Sequence, residues 1–337
     1  MITVALDAMG ADGGPEPVVE GALQLIGEDV PIRIVLVGDR GSIEQVLRSE
    51  RYDQDRLRVE HASAAVRMTD KPAEALDRDP DCSVLRAARL VRDGEADALV
   101  SAGNTGAVIL AAARTFERLP GVRRVGLAAV YPTAQKHGPH RDPFALMLDV
   151  GATLNCSADD LVAFAVMGSA YSRIVSSIER PRVGLLSNGA EPTKGTPAIV
   201  EAHGRLAELD SVEFVGNVEG VDIPRGTVDV IVCEGFVGNI VLKMLEGVSE
   251  VAKDLARAAL HHKLWWKLGM GLLSTGIKQV RTLTDWQQYG GAPIVGFDHL
   301  VIKAHGRSNA RAIRNALKVA AKAVDNDIAE QIRSGLD

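Results

Sequence analysis

Cysteine is scarce in this 337-residue sequence: Cys82, Cys156 and Cys233 are the three, and none stands in a CxxC pair. That spacing argues against a zinc ribbon or a redox dithiol, and an odd count is a poor basis for a disulfide framework. A reducing cytoplasm is the expected compartment. Aromatic residues make up 4% of the chain, so Val, Leu, Ile and Ala must fill the core. No apolar run is long enough to span a bilayer. The start, MITVALDAMG, has neither the basic opening nor the apolar stretch of a secretory signal. Several chemical signatures are missing as well. Without GxGxxG, a standard dinucleotide fingerprint is unsupported; without GxxxxGKS/T, so is a P-loop ATPase. The absence of GxSxG argues against a serine hydrolase, and no cluster of His and Cys suits a catalytic metal. A net charge of -6 lends no support to nucleic-acid binding.

What remains is a folded-protein composition, 46% hydrophobic and 24% charged, with material for a large core. Apolar runs of strand length alternate with segments of helical period. Strands are expected at Ile2–Asp7, Ile32–Val37, Leu57–His61, Ala98–Ser101, Phe144–Asp149, Val183–Leu186, Val212–Val215 and Val228–Cys233. Helices are expected from about Pro15 to Gly27, from Ser42, and over Thr105–Arg118, Ala158–Ile178, Thr196–Leu209, Asn239–Leu260 and Ser308–Val324. This alternation implies an α/β fold with a mostly parallel sheet covered on both faces. The polar stretch Pro132–Pro143 reads as a loop.

Several strands end in one kind of turn: DAMGADGGPEP, SAGNTG (Ser101–Gly106), DVGAT (Asp149–Thr153), SNGAEPTKG (Ser187–Gly195), CEGFVGN (Cys233–Asn239) and KAHGRSN (Lys303–Asn309). Glycine lets the backbone approach a ligand closely. Free amides at a helix N-terminus favour an anion, and Lys194, Lys303 and Arg307 add full positive charge. Ordinary helix capping uses the same residue types. Taken together, and with the lysines, the turns point to an anion site on one shared rim of the sheet.

At these turns the chain resembles the PlsX family of phosphate acyltransferases. The likeness is carried in order by DAMGADGGP, SAGNTGAV, LMLDVGA, SNGAEPTKG, FVGNVEG (Phe214–Gly220), EGFVGNIVLK (Glu234–Lys243), YGGAPIVG (Tyr289–Gly296) and VIKAHGRS (Val301–Ser308). Departures from the family pattern fall at Ala11, at Glu234, and at Ser187, Asn188 and Pro192. The resemblance implies a three-layer α/β fold similar to isocitrate and isopropylmalate dehydrogenases and phosphotransacetylases, one domain over residues 1–337, and usually a homodimer. It implies transfer of a fatty acyl group from acyl carrier protein to inorganic phosphate, for phospholipid synthesis, with no cofactor. Alternatives are a phosphotransacetylase acting on acyl-CoA, a decarboxylating NAD-dependent dehydrogenase, and a non-enzymatic scaffold for lipid synthesis.

Phosphate is itself the nucleophile in such a reaction, so no serine or cysteine nucleophile is required. Candidate catalytic residues are Asp7, Lys194, Lys303 and His305, with Asp12 as an orienting group. Candidate phosphate or substrate contacts are Ser101, Gly103, Asn104, Thr105, Gly189, Gly235, Asn239 and Ser308. Cys233, at a strand end, is either a covalent acyl carrier or a small apolar filler. The segment 255–284 has no Asp or Glu but holds Arg257, Lys263, Lys267, Lys278 and Arg281 around Trp265 and Trp266. This protruding basic and aromatic segment suits peripheral contact with the inner face of the cell membrane, a subunit interface or docking of the acidic carrier.

Overall fold

The computed structural model describes residues 1–28, 30–139, 141–262 and 290–336. Apolar runs pair into one eleven-stranded sheet. The strands are β1 (Ile2–Asp7), β2 (Ile32–Gly38), β3 (Leu57–His61), β4 (Ala98–Ser101), β5 (Gly126–His137), β6 (Asp142–Leu148), β7 (Arg182–Leu186), β8 (Glu213–Val218), β9 (Val230–Val232), β10 (Ala292–Val295) and β11 (Leu300–Lys303). Their order across the sheet is β3-β2-β1-β4-β11-β10-β5-β6-β9-β7-β8.

Side chains alternate between the two faces, as the period of a strand requires. Val4, Leu6, Val100 and Ile302 enter one core, whereas Ala5, Leu99 and Val301 enter the other. The first core is covered by α1 (Glu16–Ile26), α2 (Arg40–Leu47), α6 (Ala158–Val175), α7 (Pro197–Ala207), α10 (Ala310–Asp325) and α11 (Ile328–Leu336). The second is covered by α3 (Pro72–Arg78), α4 (Ser83–Arg92), α5 (Thr105–Thr115), α8 (Asp222–Arg225) and the 28-residue α9 (Gly235–His262). The result is three layers, as expected. Local signals agree with the layers: Ser157 and Asp160 close a capping box at the start of α6, and Pro197 opens α7 after the Thr196 cap.

The sheet is mostly parallel, but three neighbouring pairs are antiparallel: β10 with β11, β10 with β5, and β5 with β6. These pairings reverse the direction of half the sheet. Lys303, at the end of β11, lies opposite Ala292 at the start of β10. Val295, at the end of β10, lies opposite Gly126 at the start of β5. Ala128 near that start then faces Leu148 at the end of β6, which is parallel to β9. The turns that follow β1, β4 and β11 therefore leave one edge of the sheet, and those that follow β6, β9 and β7 leave the opposite edge. The Pro132–Pro143 stretch, expected as a loop, instead spans the end of β5 and the start of β6. Its polar side chains sit where the hairpin runs out of the core.

Candidate active site

Asp7, Ser101 and Lys303 are the last residues of β1, β4 and β11, and they are in register: Asp7 pairs with Ser101 and Ser101 with Lys303. Each stands two residues after a member of the second core, Ala5, Leu99 or Val301, so all three side chains project from the same face. All are buried, Asp7 to 2%, Ser101 to 0% and Lys303 to 7% exposure. Ser101 Oγ donates to Asp7 Oδ2 at 2.7 Å and accepts from the Gly103 amide at 3.0 Å. Asp7 Oδ1 accepts from the Met9 amide at 3.2 Å.

The turns behind this row are tied together. Ala304 N donates to Ser101 O and Asp12 N to Gly306 O, both at 2.9 Å. Gly10 and Gly103 cross so closely that a Cβ on Gly10 would stand 2.5 Å from Gly103 Cα and 2.9 Å from Asp7 Oδ2. Only glycine fits at that crossing.

Lys303 carries the main positive charge of the row. Its Nζ donates to Ala304 O, and among the described residues no carboxylate lies within ion-pair distance of it. Burial pushes its pKa down from the ordinary 10.5 to about 8, against the pull of Asp7 and Asp12 and with help from the charge of Lys243. Ser308, 5% exposed, has a buried hydroxyl with no partner, just before the Asn309 cap of α10. His305 Nδ1 accepts from the Arg307 amide at 3.1 Å, which leaves the ring proton on Nε2. Burial, then the charges of Lys303 and Lys243, lower the His305 pKa, so the ring is neutral at pH 7 and suited to donate from Nε2. The α5 terminus opens beside the row, where Thr105 and Gly106 are the first two helical residues and their amides have no intrahelical acceptor.

Asn104 has a different task from the one expected of it. Its Oδ1 caps α5 through the Ala107 amide at 3.2 Å, and its Nδ2 donates to Met68 O at 3.0 Å and Asp70 O at 3.2 Å. The amide side chain is used up in holding the turn. The Gly103 amide is likewise engaged by Ser101 Oγ.

Gly189, Lys194, Gly235 and Asn239 lie at the opposite edge of the sheet, so the expectation of one shared rim fails within a single chain. The cause is the strand reversal at β10 and β5. At that edge Asp149 is saturated. Its Oδ1 accepts from the amides of Leu127, Gly151 and Ala152, and its Oδ2 accepts from the amide and hydroxyl of Thr153, both at 2.8 Å. The Gly235 amide donates to Thr153 Oγ1 at 3.1 Å. Lys194 and Asn239 are exposed. Cys233 is buried, donates to Asp149 O at 3.2 Å, and has its thiol pKa pushed well up by burial; it packs as a small filler. A cavity of about 690 Å³ also opens at this edge, beside Phe116, Arg124, Thr153 and Phe297. Of its arginines, Arg123 is answered by Asp159 and Arg124 by Asp160, while Arg118 donates to the carbonyl of Arg123.

Sequence reasoning missed Lys243, on α9, whose charge is felt at both Lys303 and His305. It closes the EGFVGNIVLK motif (Glu234–Lys243), and that place in the pattern is the signal that could have found it. Lys263, Trp265, Trp266 and Lys267 lie outside the described residues.

The buried lysine row sits in a chain with named relatives across its whole length. The chain matches the family model described as "Fatty acid synthesis protein" over residues 2–331. It is 40% identical over 334 residues to a protein named phosphate acyltransferase from Thermoanaerobacter pseudethanolicus, covering 99% of this chain and 97% of the relative. The chain belongs to the PlsX phosphate acyltransferase family. A second member, from Dictyoglomus turgidum, is 38% identical with the same coverage. In three dimensions the fold is shared with a phosphotransacetylase from Streptococcus pyogenes (TM-score 0.65, 16% identity, 96% of this chain and 94% of that one). It is shared also with a putative 4-hydroxythreonine-4-phosphate dehydrogenase from Salmonella typhimurium (TM-score 0.52, 14% identity, 96% of this chain and 99% of that one). This family membership makes the chain an acyltransferase of lipid biosynthesis and sets aside the dehydrogenase and the non-enzymatic scaffold.

Proposed function

We propose that the chain moves a fatty acyl group from acyl carrier protein to inorganic phosphate, and that phosphate binds at the Asp7–Ser101–Lys303 row. One observation carries this reading: a buried ammonium, engaged by a single carbonyl, stands in register with Ser101, and the turn that follows β11 holds the orphan Ser308 hydroxyl. Such a site is incomplete without an anion, because buried polar groups need partners.

Phosphate oxygen attacks the thioester carbonyl carbon, a tetrahedral oxyanion forms, and the C–S bond breaks to give acyl phosphate and the carrier thiolate. A thiolate is a good leaving group and needs little acid assistance. The residues of the row therefore act by position and charge. Lys303 and Ser308 hold the nucleophile, His305 Nε2 donates a hydrogen bond, and Asp7, locked by Ser101 and Met9, sustains the charge on Lys303. Orientation of this kind is worth up to about 7–11 kcal/mol of the barrier.

A homodimer, which the family resemblance implies, is proposed to pair through α9. Phe236, Ile240, Met244, Val248, Val251 and Leu255 form a helical stripe whose members are 50–67% exposed. A stripe of that period on a helix already packed on its other side suits a second copy. Among the described residues no helix is long and apolar enough to cross a membrane. Peripheral contact through the 255–284 segment is tested by liposome flotation of a Trp265→Ala/Trp266→Ala protein; flotation equal to the parent ends that idea.

The activity itself is tested by incubating purified protein with palmitoyl carrier protein, with and without phosphate, and trapping acyl phosphate with hydroxylamine. Phosphate-dependent hydroxamate is the expected result. Acyl-CoA as an equally good donor would place the chain with phosphotransacetylases, and no phosphate dependence would refute the reading.

A further inference from the structure

Residues 66–72 run along the sheet face from which Asp7, Ser101 and Lys303 project. Val66 at one end, and Ala75 and Leu76 of α3 just past the other, enter the core that lies beneath the row. Between those anchors the segment is fastened to both turns that leave the Ser101–Lys303 pair. Asn104, in the turn after Ser101, donates from Nδ2 to Met68 O at 3.0 Å and to Asp70 O at 3.2 Å. Pro72 abuts the start of α5, where a Cβ on Gly106 would stand 2.7 Å from Pro72 Cγ. The Met68 side chain reaches the turn after Lys303. A Cβ on Gly306 would clash with Met68 Cε and stand 3.0 Å from Asp12 Oδ2. Gly306 lies inside the turn that the Ser308 amide closes on His305 O at 2.9 Å. Met68 therefore bridges the turns of two strands that end in register at Ser101 and Lys303. The residue is half-buried. Its flexible thioether is an apolar group set among amides, hydroxyls and charges, and such a side chain fills an irregular gap well.

We propose that Met68 roofs the row and keeps water from the acyl group, so that the acyl group passes to phosphate and not to water. The inference rests on the reading that the row binds phosphate. In the competing reaction, water oxygen attacks the thioester carbonyl carbon, the C–S bond breaks, and fatty acid and carrier thiol leave. Shielding a site from bulk water suppresses side reactions of this kind. Asn104 serves the same end as a positioning residue. Its Oδ1 caps α5 through the Ala107 amide, and its Nδ2, which the cap does not need, holds the backbone of Met68 in place.

The full chain is incubated with palmitoyl carrier protein and phosphate to test this. Initial rates of fatty-acid release and of acyl phosphate formation, each corrected for the reaction without protein, give the share of acyl groups lost to water. Met68→Ala is expected to raise that share about 10-fold, with the phosphate KM within about 2-fold of the parent. Met68→Gln, of similar length but able to bind water, is expected to raise it too, and carries the test if Met68→Ala does not fold. Met68→Leu, apolar and of nearly the same volume, should restore the parent share. Asn104→Ser keeps a hydroxyl for the helix cap but cannot reach Met68 O, and should raise the share about 3-fold. An unchanged share in both Met68→Ala and Met68→Gln would overturn the inference. So would a Met68→Leu protein that loses as much to water as Met68→Ala, because an apolar roof would then not be what excludes it. Lys303→Met, run in parallel, tests the reading underneath. If its phosphate KM matches the parent, the assignment of the row falls and this inference with it. If that KM rises while the Met68 variants keep the parent share, the inference about Met68 falls alone.

Discussion

Replacing Lys303 by Met should make the protein more stable and less able to use phosphate, two effects of opposite sign from one side chain. The fall in its pKa from 10.5 to about 8 corresponds to about 3 kcal/mol of unfavourable environment for the charge in the empty site. Methionine has similar length and no charge to desolvate. That figure is already net of the attraction of Asp7 and Asp12; losing the hydrogen bond from Lys303 Nζ to Ala304 O offsets part of it, so a net gain of about 1–2 kcal/mol in unfolding free energy is expected without phosphate. The same change removes a charged donor to the anion, which should raise the phosphate KM about 10- to 100-fold. The pH dependence has a definite sign. Below pH 8 both the folded and unfolded chains carry the Lys303 charge, so the folded state bears its full cost; that cost disappears as pH rises from about 8 toward 10.5. Phosphate affinity moves the other way, falling as pH passes about 8 and the ammonium is lost. Lys303→Arg, which stays charged, should abolish that alkaline limb. Denaturant unfolding with and without phosphate, and KM against pH, are the assays. A Lys303→Met protein with unchanged stability and a phosphate KM within about 2-fold of the parent would refute the reasoning.

Other expectations follow from buried contacts away from the row. Asp229 Oδ1 lies 2.5 Å from His137 Nδ1, and its Oδ2 accepts from the backbone amide of Arg182 at 2.8 Å and its Nε at 3.1 Å. Burial alone would raise this carboxyl, but the bonds from His137 and Arg182 hold it at about 2. Its contribution to stability is full above pH of about 4 and is lost as pH falls through 2; Asp229→Asn should cost about 3–5 kcal/mol by calorimetry or denaturant unfolding and flatten that acid limb. Gly10→Ala should cost more than about 2 kcal/mol and lower kcat, because its Cβ meets the Gly103 backbone and Asp7. Gly204→Ala, in helix α7 with nothing within 4 Å of the added Cβ, should gain about 0.5–1 kcal/mol and leave activity alone. The dimer proposed through the α9 stripe should become a monomer in light scattering with Met244→Glu and Val248→Glu together; a dimer that persists in that variant would place the interface elsewhere, and a monomeric parent would refute the proposed dimer.

Much of this was legible in the sequence. Val-, Ile- and Leu-rich runs such as Ile32–Val37 and Ala98–Ser101 can bury both faces, so their strands and the α/β layering followed from composition alone. β5 was harder to see, because its second half turns polar and Ala134–Lys136 are exposed before His137 returns to a buried place. β10 and β11, four residues each, also went unmarked. The reversal of half the sheet was invisible, since strand direction is fixed by pairings such as Gly126 with Val295, far apart in the chain. That reversal separates Lys303 from Lys194 although their turns read alike. It also explains why Asn104 looked like a ligand: the residue types that bind phosphate are those that cap helices, and only coordinates show the amide bonded to Met68 and Asp70.

The anion's position is the most direct test. Arsenate scatters X-rays anomalously and has the charge and shape of phosphate, so a crystal of the full chain soaked with it locates the site in one map. The account expects the peak beside Lys303 and Ser308, within hydrogen-bonding distance of both. A peak at the Ser187–Gly195 and Gly235 turns, with the Lys303 row empty, would contradict it.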